Sequence, residues 1–119
     1  SMVYSCAGHP PPRLRAANGS IIQLDQAADA PIGILDDLAY QSAESKLNDG
    51  DVLVLFTDGI TESFAPDGAA FGTEHLDATI ARLNGSAADI ALGLDAAATK
   101  FRGSPDPEDD TTVVVLKRK

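Results

Sequence analysis

Five consecutive apolar residues, Val52-Leu53-Val54-Leu55-Phe56, constrain this 119-residue chain more than any other feature. A strand with one face in water alternates apolar and polar side chains. This run does not alternate, so both of its faces are expected to be buried and each needs a cover. Asn48-Asp49-Gly50 turns the chain into the run, and the polar stretch Thr57-Asp58-Gly59-Ile60-Thr61-Glu62 ends it. At this length there is room for one domain with one small core.

The flanking segments supply the covers. Residues 3–7 form a short strand candidate, stopped by Gly8-His9-Pro10-Pro11-Pro12 because proline has no amide to give a ladder. Residues 13–17 and 20–24 flank Asn18-Gly19, a pair that accepts the positive φ angles of a tight hairpin turn. Pro31-Ile32-Gly33-Ile34 predicts a bend with two apolar anchors, and residues 40–47 a mostly polar strand near an edge. Beyond the turn at Pro66-Asp67-Gly68, two helices are predicted. Thr73 caps the first, Leu76, Ile80 and Leu83 form its apolar face, and Asn84-Gly85 ends it. Ser86 with Asp89 has the spacing of a capping box, with Asp in place of Glu or Gln. Ile90, Leu94, Ala97 or Ala98, and Phe101 follow at helical spacing. An acidic loop over 103–110 leads to a β-branched final strand over 111–116. Strands, then helices, then a closing strand predict an α+β fold, with an antiparallel sheet and two consecutive helices on one face.

Charge narrows the partners. A net charge of −9 opposes a phosphate backbone, so nucleic acid is not an expected ligand. No apolar run approaches the roughly 20 residues of a membrane span, and no leader pattern is visible. The single Cys6 has no partner for an internal disulfide, which suits a reducing cytoplasm.

Two acidic positions carry the candidate chemistry. Asp58 follows the buried run, with Gly59 permitting a sharp turn beside it. Asp109 and Asp110 precede the last strand. If the two strands are neighbours, these carboxylates converge at one end of the sheet. Clustered carboxylates and waters suit Mg²⁺ or Mn²⁺. Two such ions, roughly 3.5–4 Å apart, activate a water and neutralise a phosphoryl group in transfer. On pattern alone, each acid reads more readily as a turn or a solvated strand end than as a metal ligand. His9, beside three prolines and without a visible partner, reads as a structural hydrogen-bonding residue. Cys6 reads as a small apolar filler, His75 as surface or packing, and Ser63 shows no nucleophile-elbow pattern.

In kind and order, Ala7-Gly8-His9-Pro10-Pro11-Pro12, Pro31-Ile32-Gly33-Ile34, the block from Asp49 to Glu62, and Asp109-Asp110-Thr111-Thr112-Val113-Val114-Val115 resemble the SpoIIE-like PPM (protein phosphatase type 2C-like) serine/threonine phosphatases. The resemblance implies part of the PPM antiparallel sandwich. It puts metal-ligand roles on Asp58 and Asp109, with Asp110 the alternative to Asp109 and the Gly59 backbone a further candidate. Thr61, Glu62 and His9 fall around those ligands. The implied activity is hydrolysis of phosphoserine or phosphothreonine on a regulatory protein, such as an anti-sigma-factor antagonist, by metal-activated water and without a phosphoenzyme. The implied cofactors are two Mn²⁺ or Mg²⁺ ions. Domains of this type are longer than this chain, and their first half carries another metal-bridging Asp. Residues 3–119 are therefore expected to be a C-terminal portion, with residues 1–2 an expression remnant. Alone, the chain is expected to be inactive or weakly active, and to form a homodimer that covers the surfaces left open. The alternative is a noncatalytic protein-binding or regulatory module derived from the same fold.

Overall fold

The computed structural model describes residues 1–104 and 109–119. Its strands are β1 (Met2–Tyr4), β2 (Cys6–Ala7), β3 (Arg13–Arg15), β4 (Ile21–Gln23), β5 (Ala28–Asp29), β6 (Ala43–Ser45), β7 (Val52–Phe56) and β8 (Val113–Lys117). Its helices are α1 (Asp58–Thr61), α2 (Gly72–Arg82) and α3 (Ala87–Arg102).

The apolar run lies inside the main sheet, which has the order β4-β3-β7-β8 and is antiparallel throughout. Leu53 stands opposite Leu14 on one side and Leu116 on the other. Both faces of β7 are covered, as its lack of alternation requires. Val52, Val54 and Phe56 pack with Ile60, Phe71, Leu76, Ile80, Ile90, Leu94 and Ala98, the apolar faces of the helices. Leu53 packs on the opposite side with Leu14 and Leu24, flanked by half-buried Met2, Tyr4, Leu47 and Leu55. Each large apolar side chain so buried contributes about 1.5–3 kcal/mol. Two small sheets accompany this second face. β1 pairs antiparallel with β6, and β2 pairs parallel with β5, a local exception to the antiparallel expectation.

Several local expectations change. The strand over 3–7 breaks at Ser5, whose neighbours pair with different partners. At Asn18-Gly19 only Gly19 has a positive φ, 93°. The loop has three residues rather than two, closed by Ala16 N to Ser20 O at 2.8 Å and Gly19 N to Ala16 O at 2.9 Å. Asn48-Asp49-Gly50 is a turn, with Asp51 N bonded to Asn48 O at 3.0 Å, but it joins strands of different sheets and makes no hairpin. The buried Asp51 carboxylate holds this corner by accepting from the Ala17 and Asn48 amides at 3.1 and 2.9 Å. Ile32 and Ile34 are 81% and 66% exposed, so they anchor nothing here. Pro31 makes the contact instead, against Gly8, whose φ is 70° and where an added Cβ would lie 2.2 Å from the proline ring.

The polar break after β7 closes into one helical turn through Glu62 N to Asp58 O at 2.7 Å. α2 begins at Gly72 after a buried Phe71, without the Thr73 cap. The capping box of α3 forms as spaced: Asp89 N donates to Ser86 Oγ at 3.1 Å and Ser86 N to Asp89 Oδ2 at 3.0 Å. The Ser86 amide, then its hydroxyl, hold the Asp89 carboxyl below its ordinary range. That stabilisation is complete above the unfolded carboxyl's pKa and is lost as pH falls through the lower folded value.

β3 places two arginines on the helix-facing side, which the alternating pattern Arg13-Leu14-Arg15 did not forecast. Arg13 is 1% exposed, pairs with Asp77 of α2 at 2.8 Å, donates to Pro11 O at 2.7 Å, and lies 5.6 Å from the Phe56 ring centre. Arg15 donates to the Ile80 and Leu83 carbonyls, which the end of α2 leaves without helical partners. Among the described residues no helix is long and apolar enough to cross a membrane.

Candidate functional site

The site residues leave one end of the β7–β8 pair. Beyond Phe56 the ladder continues through Thr57 N to Thr112 O at 3.1 Å and Thr112 N to Thr57 Oγ1 at 2.9 Å. Asp58, the first residue of α1, and Asp110, two residues before Thr112, therefore depart from the same edge. Between them lies Gly59, buried and in direct contact with the Asp110 main chain. A Cβ on Gly59 would sit 2.3 Å from Asp110 O and 2.8 Å from Thr111 Cγ2. The structure thus brings together two acidic segments that are far apart in sequence.

A cavity of about 70 Å³ opens here, lined by Gly59, Glu62, Ser63, Phe64, Arg102 and Asp109. Asp109 is exposed and accepts the Asp110 amide on Oδ1 at 2.8 Å. Of the two adjacent acids, Asp109 borders the cavity, while Asp110 presents its carbonyl to Gly59. Asp58 is exposed, and its carboxylate makes no hydrogen bond or ion pair among the described residues. Thr61 Oγ1 donates to Asp58 O at 3.4 Å, and Glu62 adds a further exposed carboxylate.

The Gly59 carbonyl accepts the Ser63 hydroxyl at 2.9 Å, and Gly59 packs closely against the Asp110 main chain. His9 does not line the acidic cavity. It borders a separate cavity of about 250 Å³ with Leu55, Phe56, Thr57, Thr112 and Val114. Its ring has no hydrogen bond among the described residues; its carbonyl accepts the Cys6 thiol at 3.1 Å. Cys6 itself is a buried filler. His75 packs, with Nδ1 2.7 Å from Phe71 O and its ring against Phe71 and Phe101.

Aspartate oxygens are the donors a hard divalent cation prefers. Among the described residues no group of three or more His, Cys, Asp or Glu side chains is close enough to hold an ion. The donor set therefore fits Mn²⁺ or Mg²⁺ as part of a shell, with other oxygens completing it.

Two residues escaped the sequence reading. Ser63 is 3% exposed, donates to Gly59 O and accepts Arg102 Nη1 at 3.1 Å. Arg102 also donates from Nε to Ser104 O at 3.1 Å. A basic residue in the last helical turn reads as a complement to the helix dipole, and nothing local links it to a serine 39 positions away.

The model of the stage II sporulation protein E (SpoIIE) family matches residues 1–119. Phosphoserine phosphatase RsbU of Bacillus subtilis (strain 168) is 27% identical over 116 residues, covering 98% of this chain and 34% of the relative. The solved PP2C phosphatase domain with a fragment of the regulatory domain of the cell fate determinant SpoIIE, from Bacillus subtilis, has a TM-score of 0.81 at 25% identity, covering 97% of this chain and 34% of that one. The RsbU and RsbW domains of Rv1364c from Mycobacterium tuberculosis have a TM-score of 0.80 at 24% identity, with 98% and 33% covered, a likeness of fold. The chain spans about a third of the length of each. With Asp58 and the Asp109-Asp110 pair at one sheet end and the family model matched along residues 1–119, the chain belongs to the SpoIIE family of PP2C-like (PPM) protein phosphatases.

Proposed function

We propose that this chain supplies part of the active site of a metal-dependent phosphatase acting on phosphoserine or phosphothreonine in a regulatory protein, such as an anti-sigma-factor antagonist. The observation that carries this is the contact of Gly59 with Asp110, which sets Asp58 beside the Asp109 loop. Asp58 and Asp109 are the proposed ligands. When bound, Mn²⁺ or Mg²⁺ supplies charge neutralisation for the phosphoryl group and a water acidic enough to attack it. Asp109 would hold the ion from the cavity wall, and Asp58 from beside Gly59, the residue next to it that lines the cavity. Glu62 adds negative charge at its mouth, and Thr61 ties the turn that presents Asp58. Two or three carboxylates leave most of a hard cation's ligands to other groups, so residues 1–119 alone are expected to turn over substrate negligibly.

The test is hydrolysis of an aryl phosphate and a phosphoserine peptide by the protein that contains this chain, with Mn²⁺ titrated and then chelated. Asp109→Asn is expected to reduce turnover by about 100-fold or more, and Asp110→Asn by less than about tenfold. The opposite ranking moves the ligand to Asp110. Full activity in chelator, or in both variants, defeats the reading and favours a noncatalytic binding module.

Self-association is a second proposal on a separate observation. β8 is the outer strand of the main sheet, with Val114 and Leu116 about half exposed. An open apolar edge invites pairing, and the charge of −9 is screened beyond roughly 8 Å at physiological salt. Light scattering of residues 1–119 at micromolar concentration is expected to show a dimer; a monodisperse monomer refutes it.

A further inference from the structure

We infer that Arg102 is a positioning residue that ties the α1 side of the acidic cleft to the end of α3. The inference rests on the reading of Asp58 and Asp109 as metal ligands. Arg102 is half-buried in the last turn of α3 and lines the same cavity as Asp109 and Glu62. Nη1 donates to Ser63 Oγ at 3.1 Å, and Ser63 donates onward to Gly59 O at 2.9 Å. Gly59 is the residue whose Cα abuts Asp110. Nε donates to Ser104 O at 3.1 Å, just past the helix, where Gly103 turns the backbone with a φ of 74°. One planar guanidinium therefore bonds the α1 side of the cleft through Ser63 and is held at the end of α3 by the Ser104 carbonyl.

This arrangement suits a fork of donors with fixed geometry, and a lysine has only a flexible point charge. Nη2 lies 3.4 Å from Thr99 Oγ1, one turn back on α3, which further fixes the plane. The guanidinium also brings a cation to the cavity that Glu62 and Asp109 line. Those carboxylates repel each other before any ion arrives, and a fixed positive charge lowers the cost of gathering them. Arg102 is not proposed to touch substrate. It acts through the spacing of the carboxylates.

The consequence is specific to ion binding. Residues that orient ligands change metal affinity or activity by about 10–100-fold when lost. In the protein containing this chain, Arg102→Ala is expected to weaken Mn²⁺ binding by about tenfold, measured by calorimetry without substrate. The thermal midpoint in the metal-free state should change little, and turnover of aryl phosphate should recover at high Mn²⁺. Arg102→Lys should restore only part of the affinity. Ser63→Ala should weaken binding less, and Arg102→Ala with Ser63→Ala should be no worse than Arg102→Ala alone, because both break one linkage. Arg82→Ala, on exposed α2 surface, is the control. The inference is overturned if Arg102→Ala binds Mn²⁺ within about twofold of the parent, or if its effect adds fully to that of Ser63→Ala. Asp58→Asn separates the two readings. If it leaves Mn²⁺ binding intact, the ligand assignment fails; if it abolishes binding while Arg102→Ala does nothing, only the clamp fails.

Discussion

Asp58→Asn is expected to reduce metal-dependent turnover by the protein containing this chain by about 100- to 1,000-fold, with stability changed by no more than about 0.5 kcal/mol. The substitution keeps the size and shape of the side chain and removes its charge. Asp58 is exposed and its carboxylate bonds to nothing among the described residues, so no packing or hydrogen bond is lost with the charge. An acid in the first turn of a helix gains a few tenths of a kcal/mol from the free amides there, and α1 is only four residues long. Its fold contribution is therefore small, while an amide oxygen is a much weaker ligand than a carboxylate for a hard cation. Turnover with saturating Mn²⁺, Mn²⁺ affinity and a thermal melt should be measured together. Near-normal turnover removes Asp58 from the site. A melt lowered by many degrees shows that the side chain is structural.

Gly59→Ala is expected to cost about 1–3 kcal/mol of stability and about 100-fold in turnover. Helix propensity argues the other way, since alanine gains up to about 1 kcal/mol over glycine within a helix. Geometry decides. The new Cβ would lie 2.3 Å from Asp110 O and 3.0 Å from Asp110 C, and these are main-chain atoms that cannot rotate aside. Relief requires α1 and the entrance to β8 to move apart, and that separation is the spacing between Asp58 and Asp109. A misplacement of about 1 Å at a reacting centre is enough for a 100-fold loss. Gly93→Ala in α3 is the control, because its close neighbour is the flexible end of Leu83 at 2.5 Å. If Gly59→Ala matches the parent in melt and turnover, the contact is looser than described and the convergence argument weakens.

Much of the scaffold was legible because its signals are local. The missing alternation in Val52–Phe56 forecast a strand covered on both sides, and the apolar spacing from Leu76 to Phe101 located α2 and α3. The Ser86 and Asp89 pair forecast its cap because both partners sit in one turn. The failures involve long-range geometry. Ile32 and Ile34 are apolar, yet no described element reaches them. Asn48-Asp49-Gly50 is a true turn, but turn chemistry does not say which strands it joins. The buried arginines of β3 depend on Asp77 and on carbonyls at the end of α2, which alternation cannot reveal. Around the proposed site, family motifs singled out Asp58 and Asp109 as candidates, while the bond between Ser63 and Arg102 became visible only when the helix layer was packed against the sheet.

The position of β8 in the main sheet also sets an order of assembly. β7 takes β3 on one side and β8 on the other, so the sheet joins residues near 14, 53 and 116. During synthesis β3, β4 and β7 emerge well before β8, and the two long helices are made in between. The nascent chain can form a three-stranded sheet and cover one face while one edge of β7 is still vacant. Asp58 is then already in place without its opposite wall. On the proposed ligand assignment, a nascent chain stalled before residues 109–117 have left the ribosome is expected to be folded in part and blind to Mn²⁺.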